Sequence, residues 1–179
     1  PQQHSRIEFF DEYVFLTFHS ILWQEKSKIR YSITTKEVDI YLGKNYIITV
    51  HEEPMESLKS IIERIKGNLN DFGKGIDFLL YIFLDKIVDN YFPILDRLNA
   101  LLETVDDEII HSKNSLTMEK ILAFKREILY FRKVLVPQRN TLSQLIVTNS
   151  VFIRAKSLVY FRDIYQHILI VSDMIESFR

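Results

Sequence analysis

The chain has 179 residues, which is enough for one large domain that buries a hydrophobic core without disulfides. Its 23 Lys and Arg residues balance 24 Asp and Glu residues, so the positive charge typical of a nucleic-acid-binding protein is missing. The absence of Cys excludes disulfides, zinc–thiolate sites and thiol catalysis, and no apolar run reaches the roughly 18 residues that predict a membrane span.

The first third of the chain predicts antiparallel β-structure. Three segments are rich in aromatic and β-branched residues and alternate between apolar and polar positions. They read EYVFLTFHSILW, IRYSITTKEVDIYL and YIITVHEE, and the short polar stretches QEKSK and GKN separate them. Loops this short join neighbouring antiparallel strands. A helix is predicted next over MESLKSIIERIKGN, and we expect it to end at Gly67.

Three long helices are predicted in the rest of the chain. The first covers residues 76–110, with apolar residues at three- and four-residue spacing, and we expect Pro93 to kink it. The second covers residues 117–147, and we expect Pro137 to kink it for the same reason. The turn HSKNSLT joins these two helices. The third begins near Ser150 and shows none of the usual stop signals before the sequence ends.

Together these elements predict an α/β (α+β) fold, with a small, mainly antiparallel sheet and flanking helices. We expect a sheet domain at residues 1–75 and a long-helix region at residues 76–179, in which a helical hairpin precedes the last helix. A helix of about 35 residues is some 50 Å long, so the long helices should extend past the sheet. Because the sequence starts without Met and its last helix has no stop signal, we expect a piece of a longer protein.

The first long helix carries a stripe of carboxylates that is a candidate cation site. At 100° per residue, six acidic side chains fall within about 100° of one another. They are Asp85, Asp89, Asp96, Glu103, Asp106 and Asp107. Hard divalent ions prefer such oxygen ligands, but an amphipathic helix also needs a polar, solvated face, and this second interpretation stays open. Asp85 is the most informative member because its neighbours are strongly apolar.

The last helix carries a second candidate. Asp163 and His167 are four residues apart on one face, and Gln166 and Asp173 flank them on nearly the same side. An Asp and a His at this spacing can share a metal ion. Two ligands bind weakly, so a real site needs further ligands from another helix or subunit. The alternative is that these are solvated polar positions.

No enzyme is predicted. The sequence has no HExxH, P-loop or GxGxxG motif and no Ser–His–Asp spacing, and it offers no other set of acid, base and nucleophile.

Several segments, in order and at similar spacing, resemble the CorA family of divalent-cation channels. The most specific are YFRDIYQH in the last helix and LLYIFLDKIVDNYF in the first long helix. RIEFFDEYVFLTFHS and TTKEVDIYLGKNYIITVHEEP in the β region add to them. The resemblance covers nearly the whole chain. It implies a cytoplasmic α/β domain, two long hairpin helices and a stalk helix that leads into membrane helices beyond the last residue given.

The resemblance also implies a function. Family members are homopentamers that pass Mg2+, and often Co2+ or Ni2+, through a pore in the cell (inner) membrane. This portion would lie on the cytoplasmic side, sense intracellular divalent cations and gate the pore, with Mg2+ or Co2+ as a weakly bound regulatory ion. The implied partners are copies of the same chain, divalent metal ions and the membrane, through the downstream helices, but no nucleic acid.

Helix periodicity and the family resemblance both supply candidate metal ligands. The resemblance assigns Asp163, in YFRD, to a metal site between neighbouring subunits, and Asp85, in FLDKIVD, to an adjoining secondary site. Asp89, His167 and Asp173 are additional candidates because of their positions on the same two helices.

Departures from the family pattern leave alternatives open. The acidic partner of the Asp163 site usually precedes the RIEFF-like stretch, and Gln166 stands where some relatives have Asp. We therefore expect the intersubunit site to be at best half present in this chain. One alternative is the cytoplasmic domain of a ZntB-type zinc transporter, which shares the fold. The other is a soluble helical scaffold with no ion role.

Overall fold

A computed structural model describes residues 4–27, 30–51, 56–67, 73–111, 115–148 and 150–178. The strands are β1 (Arg6–Phe9), β2 (Tyr13–Ser27), β3 (Arg30–Gly43) and β4 (Ile47–Val50). The helices are α1 (Glu56–Gly67), α2 (Ile76–Asp89), α3 (Phe92–His111), α4 (Ser115–Val147) and α5 (Leu158–Ser177), and a short 3-10 turn at Ala155–Ser157 precedes α5.

The strands form one antiparallel sheet in the order β1-β2-β3-β4, which confirms the predicted sheet. Its main component is the long β2–β3 hairpin, whose register runs from Tyr13 opposite Gly43 to Ser27 opposite Arg30. The hairpin is longer than predicted, because β2 continues through most of the QEKSK stretch that we assigned to a turn. The short strand β1 was not predicted separately, since its four residues are too few for a clear alternation.

Helices cover both faces of the hairpin. Val14, Leu16 and Phe18 are fully buried, as are the predicted β3 residues Val38, Ile40 and Leu42. The alternate residues Thr17 and His19 are buried too, although they point to the opposite face. On that face the Tyr130 hydroxyl of α4 lies 3.1 Å from the Thr35 hydroxyl of β3. Burial on two faces explains why the alternation in β2 is only partial in the sequence.

The single long helix predicted over residues 76–110 is wrong, because the structure divides it at Asn90 and Tyr91. Pro93 has no amide hydrogen, and a proline disfavours helical conformation in the residue before it. The chain responds by ending α2 and starting α3 anew, with the Tyr91 N–H donating to the Val88 carbonyl at 2.9 Å. The proline therefore produces a break rather than a kink.

Helix α4 begins and ends within two residues of the predicted bounds and is continuous across Pro137. The proline removes one hydrogen bond, but the helix keeps its place because Phe131, Leu135 and Leu142 are buried on either side of it. The predicted turn HSKNSLT covers residues 111–117. His111 ends α3, residues 115–117 begin α4, and residues 112–114 lie outside the described residues.

Helix α5 begins at Leu158, not near Ser150 as predicted. The reason is a tertiary contact: the Arg154 N–H donates to a carboxylate oxygen of Asp77 at 3.0 Å, and Arg154 stays extended. Within α5, the apolar face that the sequence predicted is confirmed. The buried residues of α5 are Phe161, Ile164, Ile168, Val171 and Ile175.

Residues of the sheet and of the helices form one contiguous hydrophobic core. The antiparallel sheet with long helices confirms the predicted α+β fold class. The division into domains at residue 75 stays a prediction. No helix among the described residues is long and apolar enough to cross a bilayer.

Candidate metal centre

The candidate site lies where α2 packs against α5. At one end of this contact, the ring of Tyr160 on α5 lies 5.1 Å from that of Phe78 and 5.0 Å from that of Tyr81, both on α2. Further along the two helices, Asp89 of α2 meets His167 of α5. The contacts advance in the same direction along both helices, so α2 and α5 run side by side in parallel.

Asp85 and Asp89 project from the same side of α2 because they are four residues apart. In the same stretch of the helix, Leu84, Ile87 and Val88 are fully buried in the core. Asp85 is therefore held at the margin of the core and is half-buried, whereas the Asp89 side chain is 47% exposed. Helix periodicity thus presents one partly desolvated and one solvated carboxylate to α5.

His167 completes the cluster from the other helix. Its Nδ1 lies 3.7 Å from Oδ1 of Asp89, and its ring meets the ring of Phe92 edge to face at 5.9 Å. The Nδ1 atom is shielded from solvent and has no hydrogen-bond partner among the described residues. One ligand atom each of Asp85, Asp89 and His167 lies within 4.8 Å of the others.

Negative charge accumulates at this point. Burial raises the pKa of the Asp85 carboxyl above its usual 3.8, and the charges of Asp89 and Asp163 raise it further, against an opposing effect of His167. Burial also raises the pKa of the Tyr81 hydroxyl, together with the charges of Asp85 and Asp163. The site therefore favours species that add positive charge.

The structure brings some of the predicted ligands together and leaves others apart. Asp85, Asp89 and His167 form the cluster, and Asp163 lies close enough for its charge to act on Asp85 while its side chain stays exposed. Asp173 is exposed and does not belong to the cluster.

The other acidic members of the predicted stripe do not contribute. Asp96, Glu103, Asp106 and Asp107 are exposed on α3, beyond the break that separates them from Asp85 and Asp89. Sequence reasoning did not find Tyr81, the aromatic neighbour of the cluster. Its position four residues before Asp85, on the same helix face, was an available signal.

The donor set fits a divalent cation. Carboxylate oxygens are the ligands of hard ions such as Mg2+, and an imidazole nitrogen suits Co2+, Ni2+ or Zn2+. The unpartnered Nδ1 of His167 supports this fit, because a buried nitrogen without a hydrogen bond costs free energy that a metal ion would offset. The use of these residues as metal ligands stays a prediction.

Comparison with known proteins finds similarity to CorA-type transport proteins along the whole chain. Residues 1–179 match the family described as CorA-like Mg2+ transporter protein. The chain is 28% identical over 178 residues to the cobalt/magnesium transport protein CorA of Thermotoga maritima, which covers 99% of this chain and 50% of that protein. It is also 28% identical over 181 residues to the protein of the same name from Methanocaldococcus jannaschii, covering 55% of it. The chain thus spans about half the length of these relatives.

Solved structures share the fold. The soluble domain of CorA from Methanocaldococcus jannaschii superposes with a TM-score of 0.85 at 27% identity, covering 99% of this chain and 70% of that one. The ZntB cytoplasmic domain from Vibrio parahaemolyticus gives a TM-score of 0.79 at 14% identity, covering 98% of this chain and 67% of that one. The second likeness concerns the fold alone.

Proposed function

Because the family match extends over residues 1–179, the chain belongs to the CorA-like Mg2+ transporter family, and from this we propose that it is the cytoplasmic domain of a Mg2+/Co2+ transporter that senses divalent cations and gates the pore. The observation that carries the sensing role is the convergence of Asp85, Asp89 and Asp163 beside one helix–helix contact. The similarity to a CorA soluble domain supports the placement on the cytoplasmic side of the cell membrane.

The sensing chemistry follows from charge. The carboxylates of Asp85, Asp89 and Asp163 repel one another, and the burial of Asp85 strengthens this repulsion because the local dielectric is lower than that of water. A bound divalent cation reverses the sign of the interaction and draws the carboxylates together. The packing of α2 against α5 therefore depends on the free concentration of the ion.

The exposure of Asp163 supports a role between subunits. Its side chain is exposed and is therefore accessible to ligands from a neighbouring subunit. In a homo-oligomer, which we propose to be a pentamer, Asp163 of one subunit and a carboxylate of the next would share Mg2+ or Co2+. The ion would then be a weakly bound regulatory ligand at the interface.

Gating follows by linkage. If the ion binds the closed arrangement of subunits more tightly than the open one, a rise in its concentration shifts the equilibrium towards closure. Helix α5 would transmit this change as the stalk that continues into the membrane helices. Loss of the ion would free the stalks to move apart.

The alternatives carry less support. The ZntB cytoplasmic domain shares the fold at 14% identity, whereas the two relatives named for cobalt and magnesium transport reach 28%. Both the family and its named members are transporters, in agreement with a non-enzymatic role for this chain.

The sensing role predicts stabilisation by divalent cations. We expect millimolar Mg2+ or Co2+ to raise the thermal midpoint of the chain, since a ligand that binds only the native state stabilises it by about 1.4 kcal/mol at ten times its dissociation constant. Thermal unfolding followed by circular dichroism, with equal ionic strength in all samples, measures this effect.

The matched variants are Asp163→Ala and Asp173→Ala, which remove exposed carboxylates from the same helix. Asp163→Ala should reduce the rise in thermal midpoint that the ions cause, and Asp173→Ala should preserve it. Identical melting with and without the ions, in the parent chain and in both variants, would favour the scaffold alternative.

A further inference from the structure

We propose that a cavity beside helix α4 binds a small oxyanion, with a phosphate group as the best fit. The cavity lies between the residues that lead into β1, the β2–β3 hairpin and α4, and its volume is about 190 Å³. Six of the residues that line it carry polar or charged side chains: His4, Ser5, His19, Thr35, Tyr130 and Lys133. None of them belongs to the candidate metal centre, so the proposal is independent of the proposed function.

The buried part of the cavity wall is polar. Ser5 and His19 are both buried, and the Ser5 hydroxyl oxygen lies 2.9 Å from Nδ1 of His19. The hydroxyl oxygens of Thr35 and Tyr130 lie 3.1 Å apart. These groups come from the start of β1, from both strands of the hairpin and from α4, so polar atoms reach the cavity from several directions. Because buried polar groups need hydrogen-bond partners, such a wall suits a polar ligand.

Lys133 brings positive charge to the cavity. Its side chain and that of His4 are exposed, so they form the solvent side of the lining. The preceding residue of α4, Arg132, is paired, with its Nε 2.9 Å from a carboxylate oxygen of Glu176. Lys133 makes no ion pair or hydrogen bond with the described part of the chain. An ammonium group with three donors is therefore available for an anion.

The carboxylate of Glu37 is held on the other side of the His19 ring. One of its oxygens lies 3.5 Å from Nε2 of His19, whereas Ser5 is at Nδ1, and Glu37 does not line the cavity. The contact with Glu37 orients the imidazole so that Nδ1 meets the Ser5 hydroxyl. Glu37 therefore positions the polar wall through His19.

The donors and the size of the cavity determine the class of ligand. Hydroxyl groups can turn their hydrogen towards an acceptor, and Lys attracts a phosphate group as a point charge. Donors that arrive from several directions suit a tetrahedral ion better than a planar carboxylate. The volume of about 190 Å³ is below the roughly 300–1,000 Å³ of pockets for drug-sized ligands, which favours a small ion. Val134 and Pro137 complete the wall with apolar surface, which lowers the local dielectric and strengthens the attraction.

The test is isothermal titration calorimetry of the chain with sodium phosphate, at constant ionic strength and without divalent ions. We expect saturable binding at one site. Lys133→Ala should weaken it by about tenfold, the loss expected for one hydrogen bond between charged groups. Lys125→Ala removes another exposed cation from α4 and is the matched control, which should retain the parent affinity.

A parallel titration with glycerol 3-phosphate distinguishes two sources of the phosphate group. Equal affinity for both compounds would show that the site recognises the phosphate group alone. Tighter binding of glycerol 3-phosphate would identify a small phosphate ester as the preferred ligand.

Three results would overturn the proposal: no saturable binding, equal affinity in the parent chain and Lys133→Ala, or equal losses in Lys133→Ala and Lys125→Ala. The last would indicate attraction to surface charge in general. Amide resonances of the parent chain add a second readout, since phosphate should shift those of Ser5, His19 and Thr35, and unchanged resonances at all three contradict the site. Failure of the proposed function is separate, because it appears as the absence of any Mg2+- or Asp163-dependent stabilisation.

Discussion

At the residue scale, Asp85 shows how the fold holds a half-buried carboxylate at a cost in stability. Burial beside Leu84 and the nearby charges of Asp89 and Asp163 raise its pKa in the folded state. The unfolded chain exerts no such effect, so the folded state binds the proton more tightly. Once it is ionised, the carboxylate therefore opposes folding.

This leads to a prediction for Asp85→Asn. The pKa of Asp85 in the folded state lies above the unfolded value of 3.8, so the penalty is absent below pH 3.8 and grows as pH rises through the interval between the two pKa values. We expect Asp85→Asn to raise the thermal midpoint at pH 7 in a chelator-containing buffer and to have no such effect below pH 3.8. Asp96→Asn, on an exposed position of α3, is the control and should change neither midpoint. A lower midpoint for Asp85→Asn at pH 7 would contradict this account.

At the element scale, the start of α2 and the approach to α5 are held by one ionic contact. Asp77 is buried, and its Oδ1 accepts a hydrogen bond from the Phe78 N–H at 3.0 Å. Its Oδ2 accepts from the backbone N–H of Arg154 at 3.0 Å and from the Arg154 Nε at 2.9 Å. This contact ties two segments 77 residues apart and delays the start of α5.

The predicted effect of Arg154→Ala follows from this pairing. The variant leaves the buried Asp77 carboxylate without its cation. Breaking a fully buried ion pair from one side costs about 3 kcal/mol, and we expect a smaller loss here because the Arg154 side chain is 39% exposed. We expect a correspondingly lower free energy of unfolding in urea at pH 7. Lys156→Ala, an exposed cation in the same segment, should leave it nearly unchanged.

The stabilisation by the Asp77–Arg154 pair also depends on pH. Burial alone would raise the pKa of Asp77, but hydrogen bonds from Arg154 and Ser157 and the Arg154 charge lower it below 3.8 overall. Its contribution to stability is therefore present above pH 3.8 and is lost as pH falls further, through the lower folded-state pKa. The difference in free energy of unfolding between the parent chain and Arg154→Ala should become smaller below pH 3.8. A difference that stays constant down to the acid transition would contradict the role of the Asp77–Arg154 pair.

At the scale of the whole molecule, Tyr91 joins the sheet to the helical layers. It lies at the break between α2 and α3 and is fully buried. Its hydroxyl oxygen is 2.6 Å from the His19 carbonyl oxygen of β2 and 2.8 Å from Gln138 Oε1 of α4. The same amide oxygen accepts a hydrogen bond from the His19 N–H at 3.2 Å. The Tyr91 hydroxyl thus links strand β2 and helix α4 to the break between α2 and α3.

We expect Tyr91→Phe to destabilise the whole chain. The substitution keeps the ring but removes the contacts of the hydroxyl with the His19 carbonyl and Gln138, and a hydrogen bond contributes about 0.5–1.5 kcal/mol to stability. Urea unfolding followed separately by tryptophan fluorescence, which reports on the sheet, and by far-UV circular dichroism, which reports on the helices, measures the loss. Both midpoints should fall together. Tyr46→Phe, at an exposed position, is the control, and a shift confined to one probe would show that the layers unfold independently.

Local patterns in the sequence determined most of the elements. The alternation of Val38, Ile40 and Leu42 and the apolar spacing from Phe161 to Ile175 depend on chain geometry alone, and both faces are buried as predicted. The combination of segments that includes YFRDIYQH and LLYIFLDKIVDNYF also identified the family, which the family match confirms. Individual ligand candidates could be chosen in the same way, because helix periodicity shows which carboxylates share a face.

Only the tertiary structure decided where elements stop and which ligands meet. The start of α5 depends on a contact with Asp77, 77 residues away, which no local pattern contains. Pro93 marks the break between α2 and α3 in the sequence, but the contact of Tyr91 with His19 at that break appears only in the fold. Likewise, the sequence placed Asp85 and Asp89 on one helix and His167 on another, 78 residues beyond Asp89. The parallel packing of α2 against α5 selects these three and leaves Asp173 and Asp96 in solvent, because helix register fixes a face but not the neighbour that the face will meet.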